Sequence, residues 1–269
     1  MSGFHNPLRQ CWAGGRSAIN GWIAVPSILS AEAMAAAGWD ALTVDMQHGT
    51  TDYADLLTIL PVIEKSGAAP IVRVPWLDEA AIMRVLDAGA LGIIAPMINT
   101  AADASRLVSA CRYPPDGDRS FGPVRARLAQ PDYTVDAANR EVVPFAMIET
   151  REAADNLDEI LSVPGLGGIY IGPADLSLSH GFPPGFDRKE PQMVELIAKI
   201  QKSCRERQIP CGIHCGSVTY AMQMVNAGFS LVTVGSDARF VEEGAKATVT
   251  SFREMAHQVA PPQLDNPTY

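Results

Sequence analysis

The chain alternates short apolar runs with longer segments in which apolar residues recur at helical spacing. Short apolar runs bounded by glycine or polar residues are typical of strands that are buried on both faces of a sheet. The runs predict strands at 21–26, 41–45, 70–74, 92–96, 143–148, 168–171, 211–214 and 231–234. The segments between and after them predict helices near 30–37, 53–66, 78–88, 101–111, 151–162, 190–207, 217–227 and 238–256.

Several predicted helices carry start and stop signals. Asp52 and Ser217 precede helical segments and can accept hydrogen bonds from the first-turn N–H groups, while Gly67 and Gly228 can end helices in the left-handed conformation. Eight strand-helix units in 269 residues favour a (β/α)8 TIM barrel over an open doubly wound sheet. We therefore predict an α/β fold with a single barrel domain over residues 1–269.

One connection is longer than the others. Residues 112–142 separate the fourth predicted helix from the fifth strand, and they are rich in arginine and turn-forming residues. Connections in compact domains are usually about five residues long, so this segment predicts a lid or a subunit contact. The polar, proline-rich tail at 261–269 is expected to be frayed or packed on a neighbour.

The composition is typical of a globular protein and argues against membrane-spanning and nucleic-acid-binding proteins. Hydrophobic residues make up 47% and charged residues 19% of the chain, and no apolar run approaches the ~18 residues that span a bilayer. The first residues lack the basic and apolar regions of a secretory signal, so we expect a cytoplasmic protein. A net charge of -9 argues against a nucleic-acid or anionic-membrane partner. The 5 cysteines are scattered and odd in number, which predicts reduced thiols.

Two apolar runs end in carboxylates, at Glu149 and Asp175. In a barrel the carboxyl ends of the strands form one rim, which carries the active site. Neighbouring strand ends would bring the two side chains within reach of one hard cation, such as Mg²⁺ or Mn²⁺. The alternative is structural: Asp175 caps the short helix that follows it, and Glu149 pairs with Arg151.

Asp45 and His48 stand at the end of the second predicted strand. A carboxylate that accepts a hydrogen bond from one imidazole nitrogen would fix the tautomer and strengthen the other nitrogen as a base. This spacing therefore predicts a dyad for proton transfer. The alternative is a loop histidine held by a local cap.

Arg73 ends the third predicted strand, and its guanidinium can hold a carboxylate or an enolate oxygen. An ion pair with Glu149 or Asp45 is the structural alternative. Residues 172–175 open a short helix whose free N–H groups can bind a substrate carboxylate. Gly172 and Pro173 begin this segment, and because proline has no N–H, Ala174 and Asp175 are the candidate donors.

The positions of the lysines indicate whether the protein could form a Schiff base with a carbonyl substrate. All of them, Lys65, Lys189, Lys199, Lys202 and Lys246, lie in helical or loop segments, so no strand end offers an amine for a Schiff base. Carbonyl chemistry at this rim would need a metal. A phosphate site in the loops after strands seven and eight is a second choice, since the first basic residue there is Arg239.

Cys211, His214 and Cys215 also lie close together in the sequence. A structural zinc site needs four ligands at recognised spacings, and only three candidate ligands are near one another here. The sequence therefore favours reduced thiols over a zinc site.

An ordered set of motifs resembles the HpcH/HpaI aldolases, which are class II, metal-dependent pyruvate aldolases. The resemblance covers nearly the whole chain. The motifs are Asp45-Met-Gln-His48-Gly49, Arg73-Val-Pro, Leu86-Asp87-Ala-Gly-Ala, Ala95-Pro-Met, Arg112-Tyr-Pro-Pro-Asp-Gly-Asp-Arg119, Met147-Ile-Glu149-Thr and Ile171-Gly-Pro-Ala-Asp175-Leu.

The resemblance implies a role for each matching position. Glu149 and Asp175 would bind a divalent metal, Mg²⁺, Mn²⁺ or Co²⁺; Arg73 and the backbone of Gly172, Pro173, Ala174 and Asp175 would contact pyruvate; Asp45 and His48 would handle protons. Asp87 and Arg119 are candidates for a site shared between subunits. The family also implies a homohexamer built from dimers that exchange the last helix, here near 238–256.

Two positions depart from some members of the family. Met147 stands where some relatives carry Gln, and Gln47 stands where others carry Glu. The polar contacts to the substrate or to metal-bound water therefore differ, and the aldehyde preference is not carried over.

The expected reaction is the reversible aldol cleavage of a 4-hydroxy-2-oxo acid to an aldehyde and pyruvate or a similar 2-oxo acid, such as hydroxypyruvate. An acyl-CoA lyase of the citrate or malyl-CoA type is the alternative within enzymes, although it would need an extended basic site. A non-catalytic protein that binds a metal or a 2-oxo acid is the alternative outside enzymes, and it has no need of a proton-transfer pair.

Overall fold

A computed structural model describes residues 4–258 of the chain. Its eight strands all run parallel and close into a barrel in sequence order, β1 to β8. The strands are β1 (Ala18–Ile23), β2 (Ala41–Asp45), β3 (Ala69–Arg73), β4 (Gly92–Ala95), β5 (Val143–Ile148), β6 (Gly168–Ile171), β7 (Cys211–Cys215) and β8 (Leu231–Ser236). The predicted TIM barrel is confirmed.

Helices cover the outside of the barrel and part of its connections. They are α1 (Pro7–Ala13), α2 (Ile28–Ala35), α3 (Tyr53–Ser66), α4 (Glu79–Asp87), α5 (Ala101–Cys111), α6 (Val124–Ala129), α7 (Val135–Glu141), α8 (Arg151–Asp155), α9 (Leu157–Leu161), α10 (Pro173–Ser179), α11 (Pro191–Glu206), α12 (Val218–Asn226) and α13 (Asp237–Gln258). The segment predicted as one helix over 151–162 is two short helices that meet at Asn156.

The first strand begins earlier than its apolar pattern predicts, at Ala18 rather than Gly21. Asn20 interrupts the apolar run, but its side chain is buried inside the barrel. There its amide donates hydrogen bonds to the hydroxyls of Thr43 at 2.9 Å and Thr233 at 2.8 Å. A buried amide is tolerated because neighbouring strands supply its partners.

The core has two main layers. One apolar cluster fills the space between the strands and the surrounding helices. A second cluster lies inside the barrel and includes Leu8 and Cys11 of α1, a helix that the sequence pattern did not predict. Helix α1 therefore packs against the interior of the barrel. The candidate site residues lie at the carboxyl ends of the strands.

The long connection at 112–142 carries α6 and α7. Arg125 of α6 donates to the Glu64 carboxylate and to the Ala88 carbonyl, both near the carboxyl ends of their helices. In a βα barrel those helix ends lie at the face opposite the active-site rim. Helix α6 therefore lies away from the rim of its own barrel, and the roles of the 112–142 segment as a lid or as a subunit contact remain predictions.

Three further expectations concern the chain as a whole. The tail at 261–269 lies outside the described residues. All 5 cysteines are buried and none forms a disulfide. Within residues 4–258, no helix combines the length and the apolar character needed to cross a membrane.

Candidate active site

Glu149 follows β5 and is buried at the rim of the barrel. Its Oε1 accepts a hydrogen bond of 2.7 Å from the N–H of Met97, which adopts a left-handed backbone conformation with φ of 56°. Such a conformation is costly outside glycine and is found where the surroundings hold it in place. Burial raises the pKa of Glu149 to about 7, the Met97 N–H opposes this shift, and the charge of Asp175 adds to it.

Asp175 lies in the first turn of α10, which follows the strand β6 that pairs with β5, and its charge contributes to the raised pKa of Glu149. Gly172, just before this helix, leaves the space that the Glu149 carboxylate occupies. A Cβ at position 172 would lie 2.8 Å from Oε2 of Glu149 and 2.6 Å from Cε of Met147. The Glu149 carboxylate therefore occupies its position beside the start of α10 because residue 172 has no side chain.

Neither carboxylate of this pair has a cationic partner within the described residues. Arg151 makes no ion pair with Glu149 there, and the recorded hydrogen bond to the Glu149 carboxylate is the one from Met97. No group of three or more His, Cys, Asp or Glu side chains in residues 4–258 is arranged to hold a metal. The pair can thus supply two ligands to a hard cation, and water and substrate oxygens must supply the rest.

Arg73 and Asp45 form a buried ion pair across the ends of β3 and β2. Nε of Arg73 donates to Oδ1 of Asp45 at 2.8 Å, and Nη2 donates to Oδ2 at 2.5 Å. The indole N–H of Trp22 donates to Oδ2 at 3.1 Å. Burial alone would raise the pKa of Asp45, but the hydrogen bonds and charge of Arg73 outweigh burial, so its pKa is lowered.

His48 does not form the side-chain pair that its spacing from Asp45 predicted. Oδ1 of Asp45 accepts from the backbone N–H groups of Gln47 at 3.0 Å and His48 at 3.3 Å. Among the described residues, no hydrogen bond joins the Asp45 carboxylate to the His48 imidazole. Asp45 therefore shapes the loop that carries His48, and the exposed imidazole stands at the edge of the cavity.

Asp45, His48, Arg73 and Asp175 line one cavity of about 300 Å³ at the carboxyl end of the barrel, whereas Glu149 is buried behind its wall. This volume is at the lower end of the range for small-molecule sites. Its lining comprises Trp22, Ala24, Asp45, His48, Arg73, Met147, Gly172, Pro173, Ala174, Asp175, Phe186, His214, Gly235, Ser236 and Arg239. The lining contains no lysine, as the sequence predicted for this rim.

Asp87 and Arg119 lie away from this cavity. Asp87 is the last residue of α4, so it stands near the opposite face of the barrel. Nη2 of Arg119 donates to Oδ1 of Asp87 at 2.8 Å, and the guanidinium packs 4.4 Å from the ring centre of Tyr113. Neither residue lines the cavity of its own chain.

Comparisons with known proteins identify a family for this sequence. The sequence profile described as "HpcH/HpaI aldolase/citrate lyase" matches residues 20–243. The chain belongs to the HpcH/HpaI aldolase/citrate lyase family.

Individual relatives in sequence extend over nearly the whole chain. A hydroxypyruvate/pyruvate aldolase from Rhizorhabdus wittichii is 43% identical over 250 residues, covering 93% of this chain and 100% of the relative. A 4-hydroxy-2-oxo-heptane-1,7-dioate aldolase from Escherichia coli is 35% identical, with 95% and 98% covered.

A solved structure shows the same fold. A crystal structure of an HpcH/HpaI aldolase/citrate lyase family protein from Burkholderia cenocepacia superimposes with a TM-score of 0.85. It is 29% identical in sequence, with 92% of this chain and 99% of that chain covered.

For this member of the HpcH/HpaI family, the sequence analysis considered His214 only as a candidate zinc ligand, and it did not single out the cavity residues Trp22 and Phe186. His214 lines the cavity between two aromatic rings: Phe186 stacks on it at 4.6 Å and Trp22 meets it edge-on at 5.1 Å between ring centres. Burial and the charge of Arg73 lower the pKa of His214 to about 4. The sequence signal for His214 was its place at the end of β7.

The possible zinc site at Cys211, His214 and Cys215 is not present in this HpcH/HpaI chain. Successive side chains of a strand point to opposite faces. Cys211 and Cys215 belong to the apolar layer between the strands and the helices, whereas His214 lines the cavity. The three side chains therefore cannot share one ion.

Proposed function

We propose that this protein catalyses the reversible, metal-dependent aldol cleavage of 4-hydroxy-2-oxo acids to an aldehyde and pyruvate or hydroxypyruvate. The observation that carries the proposal is the pair of Glu149 and Asp175, which has no cationic partner in the described residues and adjoins the cavity that Arg73 lines. The aldolase relatives of this chain agree with that reaction.

The residues present fit a divalent cation, for which we propose Mg²⁺, Mn²⁺ or Co²⁺. Glu149 and Asp175 supply hard oxygen ligands, and Gly172 leaves room for the Glu149 carboxylate. A bound cation would act as a Lewis acid that polarises the 2-oxo group of the substrate. Glu149 would bind as the carboxylate, because a cation offsets the cost of burying its charge.

Arg73 supplies positive charge at the wall of the cavity. Asp45 holds its guanidinium through two hydrogen bonds, and the Trp22 ring centre lies 4.9 Å from the guanidinium carbon. A cation held in place before the reaction stabilises the negative charge that develops on pyruvate as the C3–C4 bond breaks. Asp45 is then a positioning residue that acts through Arg73.

The backbone at the start of α10 offers a place for the substrate carboxylate. Ala174 and Asp175 occupy the first turn of this helix and line the cavity, and first-turn N–H groups have no partner within the helix. The N–H of Gly172 is already used, since it donates to the Ile148 carbonyl at 3.2 Å. We therefore assign the substrate carboxylate to the N–H groups of Ala174 and Asp175 together with Arg73.

His48 is our candidate for the base that takes the C4 hydroxyl proton, through a water molecule. It lines the cavity, and its main chain is fixed by the Asp45 carboxylate. In cleavage, the base takes this proton, the C4–O bond becomes a carbonyl, and the C3–C4 electron pair passes to the pyruvate enolate. Protonation of the enolate at C3 then gives pyruvate.

The alternative of an acyl-CoA lyase has less support. A cavity of about 300 Å³ is small for a nucleotide-bearing thioester. The lining contains two arginines, Arg73 and Arg239, which do not form an extended basic site. A non-catalytic binding protein would explain the carboxylate pair, but it would leave the Arg73 ion pair and the exposed His48 without a role.

We also propose that the protein is a cytoplasmic homo-oligomer, a hexamer in which α13 is exchanged between subunits. Helix α13 is exposed from Ala238 onward within the described side chains, and it touches the barrel at β8, β1 and α2. Its apolar side chains recur at helical spacing on one stripe: Val241, Val249, Phe252 and Met255. Such a stripe needs a partner surface.

Asp87 and Arg119 fit a site shared between subunits, because they lie near the face opposite their own cavity. The exposed apolar residues Phe121, Val124 and Leu128 make the 112–142 segment our candidate for the subunit contact beside them.

Exchange of the C3 protons of pyruvate in D₂O, followed by NMR, tests the proposed reaction without any aldehyde. We expect exchange in the metal-loaded enzyme, its loss after EDTA treatment, and its return with Mn²⁺ or Mg²⁺. The variant E149Q should abolish exchange, whereas E152Q, at an exposed position of α8, should retain it. Full exchange in the metal-free enzyme would contradict the metal requirement, and pyruvate binding without exchange would favour the binding-protein alternative.

A further inference from the structure

The backbone of Met97 is strained beside the proposed metal ligand. Met97 lies two residues beyond the end of β4 with φ of 56°. In the described part of the chain, Gln208 is the other non-glycine residue with a positive φ, at 57°. Gln208 follows the end of α11, where helices commonly adopt this conformation. No helix ends at Met97, so contacts with the rest of the protein must hold its conformation in place.

The turn that contains Met97 is joined to the segment after β5 by three hydrogen bonds. The Met97 N–H donates to Oε1 of Glu149 at 2.7 Å. The hydroxyl of Thr150 donates to Oδ1 of Asn99 at 2.5 Å, and the side-chain amide of Asn156 donates to the Asn99 carbonyl at 2.9 Å. These bonds hold the turn after β4 and the residues that follow β5 against each other.

The two carboxylate oxygens of Glu149 have different surroundings. Oε1 accepts the Met97 N–H, whereas Oε2 has no recorded hydrogen bond within residues 4–258. Oε2 lies beside the start of α10, since a Cβ built at Gly172 would be 2.8 Å from it. Asp175 stands in the first turn of that helix. Oε2 is therefore the oxygen of Glu149 that remains available next to the helix that carries Asp175.

We propose that Met97 is a positioning residue, whose left-handed backbone reserves Oε1 of Glu149 for a hydrogen bond and leaves Oε2 as the single oxygen that binds the cation. This inference rests on the proposed metal-dependent reaction and adds a residue that acts through Glu149. In an extended or right-handed conformation, the N–H at position 97 would point elsewhere, and the carboxylate would be free to rotate. Binding through one oxygen leaves more positions on the cation for water and substrate oxygens.

Substitutions that differ in their tolerance of a positive φ test this role. Asparagine adopts the left-handed conformation readily, whereas valine does so only with strain. Titration calorimetry should show about ten- to hundredfold weaker Mn²⁺ binding in M97V than in M97N, because losing the support of a metal ligand has an effect of that size. M97N keeps both the N–H and the conformation, so it should bind Mn²⁺ nearly as the wild type does.

Gln208 supplies the matched control, because Q208V and Q208N make the same two substitutions at nearly the same φ, outside the cavity lining. Urea unfolding should show that each valine variant is less stable than the asparagine variant at the same position. Only the two variants at position 97 should differ in Mn²⁺ affinity. Equal losses of affinity in M97V and Q208V, or full affinity in M97V, would overturn the assignment.

A variant that removes only the N–H keeps the test decisive if M97V does not fold. Replacing Met97 by its α-hydroxy acid turns the amide into an ester and retains the side chain, and Mn²⁺ binding should again weaken by about ten- to hundredfold. Unchanged affinity in the ester would contradict the proposal. A crystal structure of the Mn²⁺-loaded wild type should show Oε2 of Glu149 alone on the cation, and contact of Oε1 with the cation would refute it.

Titration of the wild type and E149Q separates this inference from the metal site on which it rests. If Mn²⁺ binding is lost in E149Q but kept in M97V, the metal site stands and only the role of Met97 fails. If the wild type does not bind Mn²⁺, or E149Q binds it equally well, the proposed metal site fails, and the role of Met97 fails with it.

Discussion

The guanidinium of Arg73 donates to both carboxylate oxygens of Asp45, at 2.8 and 2.5 Å, across the ends of two adjacent strands. The ion pair was one alternative for Arg73 in the sequence, and it takes the place of the expected contact between Asp45 and the His48 imidazole. Both partners are buried, so the pair is worth more to the site than an exposed one would be.

Replacing Asp45 by Asn should impair both folding and proton exchange. The change leaves the Arg73 charge buried without its counterion, and breaking such a pair costs about 3 kcal/mol. We expect a lower free energy of unfolding in urea and slower pyruvate C3 exchange in the protein that folds. D40N is the control, since Asp40 pairs with the exposed Arg16 at 3.5 Å. Equal effects of D45N and D40N would contradict the importance of the buried pair.

Replacing Gly172 by Ala should weaken metal binding. The new Cβ would lie 2.8 Å from Oε2 of Glu149, so the carboxylate must move. Displacing the support of a metal ligand typically costs about ten- to hundredfold in affinity. Titration calorimetry with Mn²⁺ measures the change.

Gly122→Ala is a suitable control for Gly172→Ala, because no atom lies within 4 Å of a Cβ built at Gly122. We expect the control to bind Mn²⁺ as the wild type does. If both variants bind Mn²⁺ equally well, the assignment of the metal to Glu149 loses its geometric support.

His214 should make the folded state sensitive to mild acid. Its pKa falls from 6.5 to about 4 on folding, through burial first and then the charge of Arg73. The imidazole binds a proton more tightly in the unfolded chain than in the folded one. The free energy of unfolding therefore has its full value above pH 6.5 and decreases as the pH falls towards 4. At pH 5 this effect lowers the free energy of unfolding by about 2 kcal/mol relative to its value at pH 8.

Urea unfolding of the wild type and H214L at pH 8 and pH 5 measures this effect. The wild type should lose about 2 kcal/mol more than H214L between the two pH values. H5Q, at an exposed histidine, should behave as the wild type does. Parallel pH profiles for the wild type and H214L would show that the imidazole titrates normally.

Replacing Phe252 by Lys should weaken subunit assembly. Phe252 is 68% exposed on the apolar stripe of α13, and burying such a side chain in a partner contributes about 2 kcal/mol. Sedimentation velocity should show smaller species for F252K than for the wild type at equal concentration. E254Q, on the same helix, is the control. A wild-type protein that sediments as a monomer would refute the proposed exchange of α13.

The sequence determined the barrel and the identity of four residues on its rim. Parallel strands in a closed sheet carry their carboxyl ends to one face, so Asp45, Arg73, Glu149 and Asp175 could be placed at one rim from their positions at the ends of apolar runs alone. The positions of the apolar runs also predicted that no lysine stands at the end of a strand. These conclusions follow from periodicity, which is a local property of the chain.

Only the tertiary structure decided which of these residues contact one another. Asp45 has several donors within reach, and the choice of Arg73 and Trp22 over the His48 imidazole depends on strands that are distant in sequence. The left-handed conformation of Met97, which aims its N–H at Glu149, has no sequence signature of the glycine kind. Likewise, Arg239 faces the cavity because Asp237 is held by residues more than two hundred positions away. Contacts of this kind arise when the barrel closes, so no local pattern in the chain encodes them.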